Sequence, residues 1–378
     1  MTGSSPVRVL VDATAVPADR GGVGRYVDEL LPALVSEGGD VAVVCQLRDV
    51  DHYTALVGVQ RVRAAPSWAA SVPGRLVWEQ VRLPAVTRAA RAGVLHSPHY
   101  TMPLATRVPV VTTLHDATFF TDPDVHLAVK RRFFQAWTRI SLRRARRTVT
   151  PSAATRDELV RVAGAVAERV DVVHHGVDLV RFHQPTDAQV AEVRAALDLG
   201  DVPYVAFLGT LEPRKSVPAL IRAWVRVCAG RPAPPALVLA GGRGWDEELD
   251  RAAAEVPTGL RLLIPGYLPL DLLPGLLGGA QVVAYPSRGE GFGLPVLEAM
   301  ACGAAVLTTR RLALPEVGGD AVGYCEPEVA DIEAALRALL DDPAERARLA
   351  GAAAARAATF TWAAAARGHL ASYARAGA

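Results

Sequence analysis

The chain of 378 residues is poor in several features, and each shortage removes a class of protein. Its longest apolar stretches, such as Pro235–Ala240, last only a few residues. A bilayer span needs about 20, so no transmembrane helix is expected. Residues 1–6 hold no basic stretch leading into an apolar core. No secretory signal is read there, and the expected address is cytoplasmic. There are four cysteines, Cys45, Cys228, Cys302 and Cys325, far apart and without CxxC or Cys/His spacing. That pattern suits reduced, buried thiols rather than a disulfide framework or a zinc site. Lysine occurs only as Lys130 and Lys215 among 41 basic residues. The formal net charge is +2, which speaks against a general nucleic-acid binder.

The length fits two α/β domains better than one core. Val7–Val11 reads as a buried parallel strand. A glycine-bearing loop, Arg20–Gly24, follows, and then a helical pattern over Tyr26–Val35 with Tyr26, Leu30, Leu31 and Leu34 on one face. Short apolar runs recur at Val41–Cys45, Val94–His96, Val108–Leu114, Arg147–Thr150 and Val170–His174. A second series comprises Tyr204–Leu208, Leu237–Ala240, Arg261–Ile264, Val282–Tyr285 and Ala305–Thr308. Strands alternating with helices predict two Rossmann-like domains, each with a parallel sheet covered on both faces. Gly176, His183 and Pro185 interrupt the periodicity between the series. The expected domains are 1–182 and 183–359, with a terminal helix, 360–378, returning to the first.

Residues 129–147 form a basic amphipathic helix by pattern. Lys130, Arg131, Arg132, Arg139, Arg143, Arg144, Arg146 and Arg147 surround Phe133, Phe134, Trp137, Ile140 and Leu142. It reads either as a surface helix with its aromatic stripe turned inward or as a peripheral contact with an anionic membrane at its inner face.

Two stretches carry chemistry. Tyr285 to Gly303 leaves a strand, makes the loop Gly289-Glu290-Gly291-Phe292-Gly293 and enters a helix at about Pro295. Small residues let backbone N–H groups approach an anion, and the helix start adds its positive end, a geometry that suits a diphosphate. Glu290 and Glu298, eight positions apart, can face one ligand. Phe207 to Lys215 also leaves a strand and sets Arg214 and Lys215 where the next helix begins. Cations there oppose the helix dipole, an arrangement that makes sense beside an anionic ligand.

These blocks, with Gly21-Gly22-Val23-Gly24, Thr113-Leu114-His115-Asp116, Pro151-Ser152 and Val173-His174-His175-Gly176-Val177-Asp178, resemble family 4 of the GT-B glycosyltransferases over nearly the whole chain. The resemblance implies two Rossmann-like domains facing each other across a donor-binding cleft. It implies a retaining transfer of a hexose from a nucleotide sugar to a saccharide or lipid-linked acceptor, without metal or other cofactor. Arg214 and Lys215 match the pair that neutralises the donor diphosphate, Glu298 the ribose-binding carboxylate and Glu290 the one that contacts the transferred sugar. Backbone groups of Gly291, Phe292, Gly293 and Leu294 are implied to line the sugar and phosphate pocket. Gly22 approaches the diphosphate from the other domain, His115 borders the transferred sugar, and Tyr267 and Leu268 border the base. The run Gly-Thr-Leu-Glu-Pro-Arg-Lys is most similar to bacterial mannosyltransferases of polysaccharide and glycolipid assembly, which favours GDP-mannose as donor. UDP- or dTDP-sugars are the alternative. Two positions depart from the pattern: His175 stands where relatives often have Asn, and Thr210 where some have Arg.

Asp49-Val50-Asp51 and Asp122-Pro123-Asp124 spell the DxD of metal-dependent transferases, but Arg214 and Lys215 already supply the charge a metal would bring. Gly22-Val23-Gly24 lacks the third glycine of a dinucleotide fingerprint, which disfavours an oxidoreductase. A sugar-nucleotide epimerase is the nearest rival among enzymes.

Overall fold

Short strands of Val, Leu and Ala that are buried on both faces pair in parallel, as helix-covered sheets require. The computed structural model describes residues 7–18, 20–121 and 128–378. The chain divides into two units, one built from the residues up to Gly176 together with Thr361–Ala378, the other from Val177–Phe360. The first segment thus ends at Gly176, before the expected 182, and the chain returns at Thr361 rather than 360.

In the first unit the strands are β1 (Val9–Asp12), β2 (Val41–Cys45), β3 (Val62–Ala64), β4 (Val94–Ser97), β5 (Val110–Thr113), β6 (Arg147–Thr150) and β7 (Val170–Val172). They form one sheet in the order β3-β2-β1-β4-β5-β6-β7, and every pairing is parallel. The expected glycine loop before the first helix is the helix itself: it spans Gly21–Ser36. Its buried face, which includes Tyr26, Leu30, Leu31 and Leu34, packs on the sheet and overrides the poor helix propensity of the glycines. Arg20 precedes it at φ 56° and is tied to Asp28, Asp49 and the Tyr53 hydroxyl.

The basic segment is helical over Ala128–Arg144. Phe134 stacks on Phe119 at 4.5 Å and meets Tyr100 edge-on at 5.1 Å. Leu142 is buried, whereas Lys130, Arg132, Arg139, Arg143 and Arg144 are exposed. The aromatic stripe turns inward at Phe134, with Phe133 and Trp137 half-buried.

The returning helix, Trp362–Gly377, is capped by the Thr361 hydroxyl, which accepts from the Ala364 amide at 3.1 Å. It docks on the first unit through a buried polar chain. His369 Nδ1 lies 2.8 Å from the Ala365 carbonyl, which can only accept, so the neutral ring accepts at Nε2 from Tyr26 OH at 2.7 Å. Tyr26 in turn accepts from Thr113 Oγ1 at 3.0 Å, Thr113 from His96 Nε2 at 2.8 Å, and His96 Nδ1 from Tyr373 OH at 2.9 Å. At the crossing, a Cβ on Gly176 would come within 2.2 Å of the Trp362 amide nitrogen, so only glycine fits there.

In the second unit the strands are β8 (Tyr204–Leu208), β9 (Ala236–Ala240), β10 (Leu262–Gly266), β11 (Val282–Tyr285), β12 (Val306–Thr309) and β13 (Gly323–Cys325). Their order is β10-β9-β8-β11-β12-β13, again all parallel. The order reverses between β8 and β11. In open α/β sheets, ligands bind outside the carboxyl ends of the strands at such a point. None of the helices among the described residues is long and apolar enough to cross a membrane.

Candidate active site

The loops that leave β8 and β11 meet at this reversal, where Lys215 and Glu290, 75 positions apart in the chain, come together. The β8 loop is held by backbone contacts: Gly209 N donates to the Ala240 carbonyl at 2.9 Å and Leu211 N to the Gly242 carbonyl at 2.9 Å. A Cβ on Gly241 would come within 2.2 Å of the Gly209 oxygen, so the two loops close only with glycine there. Pro213–Lys215 then makes one 3-10 turn, Ser216 takes the left-handed conformation at φ 53°, and the helix Val217–Cys228 begins. Arg214 and Lys215 therefore precede that helix rather than opening it. Their charge is met by carboxylates.

On the β11 side, Gly293 at φ 100° turns the chain into the helix Leu294–Ala301, with Pro295 in its first turn. Glu290 lies buried in the loop before it. Lys215 Nζ donates to Glu290 Oε1 and to Tyr285 OH. Arg214 Nη1 donates to Glu290 Oε2 and to the Gly289 carbonyl, both at 2.7 Å, and Nη2 to Glu212 Oε1 at 2.6 Å. Ser287 Oγ donates to Glu290 Oε1 at 2.6 Å, and Tyr285 OH approaches the same oxygen at 3.1 Å. Burial alone would raise the Glu290 pKa. The guanidinium of Arg214, the ammonium of Lys215 and the Ser287 hydroxyl outweigh it and hold the carboxyl at about 2. Burial and the neighbouring Arg214 lower the Lys215 pKa, against the pull of Glu290 and Glu212. The site is thus a preorganised pair of cations around a fixed anion.

Glu298 is buried on the helix Leu294–Ala301. Phe292 is buried, its ring edge-on to Phe360 at 6.0 Å. Tyr267 follows β10, is 67% exposed, and its ring crosses Gly242 so closely that a Cβ there would lie 2.5 Å from the hydroxyl. Leu268 packs against the core of the second unit. Gly22 and His115 belong to the first unit. Gly22 is exposed in the opening turn of the helix Gly21–Ser36, with open space where a Cβ would project. His115 is half-buried beyond the end of β5. Its Nε2–H donates to the Pro98 carbonyl at 2.8 Å, and its ring meets Tyr26 edge-on at 4.9 Å. Burial lowers its pKa, against the Pro98 carbonyl and Asp116. The ring is neutral near pH 7, which leaves Nδ1 as an acceptor.

The chain matches the sequence profile described as Glycosyltransferase Family 4 over residues 20–181 and that described as Glycosyl transferases group 1 over residues 190–356. O-antigen chain mannosyltransferase B of Escherichia coli is 32% identical over 273 residues, 71% of each chain. The chain belongs to family 4 of the glycosyltransferases.

Within this family, D-inositol 3-phosphate glycosyltransferase of Rhodococcus opacus (strain B4) is 34% identical over 233 residues. That match spans 57% of this glycosyltransferase and 50% of the relative. The fold is the GT-B fold. Sucrose-phosphate synthase from Thermosynechococcus elongatus superposes with a TM-score of 0.77 at 19% identity, over 96% of both chains. Anabaena HepE in complex with UDP-glucose superposes with a TM-score of 0.75 at 19% identity, over 97% of this chain and 98% of that one. The oxidoreductase and epimerase readings end with the family match.

Three partners of Arg214, Lys215 and Glu290 carry no motif signal of their own: Tyr285, Ser287 and Glu212. All three stand inside the motif blocks and carry hydroxyl or carboxyl groups within five positions of Glu290 or Lys215, which was the available signal. Of the two DxD candidates, Asp122-Pro123-Asp124 lies outside the described residues. Asp49 accepts from Arg20 Nη1 at 3.0 Å while Asp51 is exposed, so that pair does not converge. Among the described residues no group of three or more His, Cys, Asp or Glu could hold a metal ion.

Proposed function

We propose that this glycosyltransferase is a retaining, metal-independent hexosyltransferase that takes mannose from GDP-mannose and passes it to a saccharide or lipid-linked acceptor. The observation that carries the reading is the meeting of Arg214 and Lys215 with Glu290 at the reversal of the second sheet. Two cations on one turn suit a diphosphate whose charge grows as it leaves, and donors directed at that charge once the donor is bound lower a barrier. In the proposed step the bond between the anomeric carbon and the phosphate oxygen breaks while the acceptor oxygen bonds to the same face of the sugar. The acceptor proton passes to the departing phosphate oxygen, and nucleoside diphosphate is the second product. Glu290, fixed and anionic, faces the oxocarbenium-like sugar, and Glu298 holds the ribose. Gly291 to Leu294 offer backbone N–H groups to sugar and phosphate, and Tyr267 and Leu268 border the base. The roles of Gly22 toward the diphosphate and of His115 toward the sugar are proposed from the family resemblance. The mannosyltransferase of E. coli supports mannose, whereas HepE, bound to UDP-glucose, supports the alternative of a UDP-sugar.

Thermal unfolding in EDTA with GDP, UDP or dTDP tests the reading. A ligand at about 100 times its Kd adds roughly 2.7 kcal/mol, so GDP is expected to raise Tm most. A larger rise with UDP or dTDP would reassign the base. No rise with any of them would remove the diphosphate site, and a rise that requires added manganese would end the metal-independent reading.

We also propose that the exposed cations of the helix Ala128–Arg144 bring the enzyme to an anionic membrane surface, where a lipid-linked acceptor resides. Because Phe134 is packed inward, the contact is electrostatic. Co-sedimentation with phosphatidylglycerol vesicles is expected at low ionic strength and lost at high salt. Protein that stays in the supernatant at low salt defeats this proposal.

A further inference from the structure

The grip of Arg214 and Lys215 on a diphosphate competes with the carboxylates that already hold them. Both terminal nitrogens of the Arg214 fork are engaged: Nη1 by Glu290 Oε2 and the Gly289 carbonyl, Nη2 by Glu212 Oε1 at 2.6 Å. Glu212 Oε1 also lies 3.8 Å from Lys215 Nζ. A phosphate that takes the fork in the bidentate manner guanidinium favours must displace at least one of these acceptors.

The two carboxylates are not held alike. Glu290 is fixed by Arg214, Lys215, Ser287 and Tyr285, and its side chain is 9% exposed. The Glu212 carboxylate has only Arg214 and, more distantly, Lys215 among the described residues, and it sits on the turn just ahead of them. Its single strong contact costs least to break, and turning away removes a like charge from the path of the incoming phosphate.

We infer that Glu212 is an internal counter-charge: the donor diphosphate displaces it from Arg214, and its return helps to expel the nucleoside diphosphate product. This rests on the diphosphate reading of the Arg214–Lys215 turn given above. Glu212 acts through Arg214 and Lys215 and is a positioning residue. Its effect should depend on ligand charge, since a carboxylate a few ångströms from a phosphate repels it in proportion to the phosphate's charge.

Calorimetric titration of wild type and Glu212→Gln with GDP, GMP and guanosine separates the possibilities; UDP, UMP and uridine replace them if the thermal scan selects that base. The Gln variant keeps a hydrogen-bond acceptor for Arg214 without the charge. It is expected to bind the diphosphate about tenfold more tightly, the monophosphate with a smaller gain and the nucleoside unchanged. In steady state both the donor KM and kcat fall, because product release slows. If Gln fails to fold, Glu212→Ala is read for the same tightening. Unchanged or weaker diphosphate binding overturns the inference and makes Glu212 a support that holds Arg214 in place. A wild type that binds none of the nucleotides instead removes the diphosphate reading, and the inference falls with it.

Discussion

Replacing Glu290 by Gln is expected to lower kcat by about 10²–10³-fold while leaving nucleotide binding measurable, the size of loss seen when one preorganised electrostatic group is removed from a transition state. The carboxylate receives hydrogen bonds from Arg214, Lys215 and Ser287 and keeps its charge with a pKa near 2. Gln preserves the size and an acceptor oxygen but not the charge that would face a developing oxocarbenium ion. Turnover with the preferred nucleotide sugar, beside the nucleotide-induced Tm shift, checks the split. Unchanged turnover would take Glu290 out of the chemistry, and loss of both turnover and binding would make it a structural anchor for the two cations. A further consequence concerns pH. The folded-state pKa lies below the ordinary 4.5, so the stabilisation tied to this carboxylate is present above about 4.5 and is lost as pH falls toward 2. An acid limb of the rate profile at pH 5–6 therefore belongs to another group.

Much of the second unit could be read from the chain because its central strands are uninterrupted apolar and aromatic runs. Tyr204–Leu208 and Val282–Tyr285 have the same bounds in the sequence reading and in the structure. The strands that escaped notice, Val62–Ala64 and Gly323–Cys325, lie at sheet edges. Arg63 is exposed to solvent in one, and the other opens on Gly323, so neither shows an apolar run. The first long helix begins ahead of its apolar periodicity for a related reason. Gly21, Gly22 and Gly24 oppose helix by local propensity, and it is packing further along, at Tyr26, Leu30 and Leu31, that carries the helix back to Gly21. At the site, Arg214, Lys215 and Glu290 could be named from their motifs, but not the fact that both cations hold the same carboxylate. That contact depends on β8 lying beside β11, and the chain order places two strands of other pairings between them. The hydroxyls of Tyr285 and Ser287 are invisible as partners until that adjacency is known.

The first unit is expected to hold its terminal helix less firmly as pH falls from about 6.5 toward 4. The chain from Tyr373 through His96, Thr113 and Tyr26 to His369 runs in one donor direction, and it does so only while both rings are neutral. Burial lowers the His369 pKa to about 4, against the Ala365 carbonyl, and burial with the neighbouring His369 and His115 lowers that of His96 well below its usual range. For a base whose folded pKa lies below its unfolded value of about 6.5, the unfolded chain binds more protons between the two values, so stability rises with pH across that window. It is fully present above about 6.5 and is lost as pH falls toward 4. For His369 alone the loss is on the order of 3 kcal/mol, at about 1.4 kcal/mol per pKa unit. Amide exchange of the helix Trp362–Gly377, corrected for the intrinsic rates, reads this as a fall in opening free energy between pH 7 and pH 4. His369→Gln, which still offers an acceptor to Tyr26 but does not titrate, is expected to start lower at pH 7 and to show a shallower slope. An opening free energy flat across the window would mean that the folded unit accommodates the protonated ring, with Tyr26 OH or a water turned to accept from Nε2. A slope shared equally by wild type and His369→Gln would move the effect to His96 or His175, which burial also holds neutral.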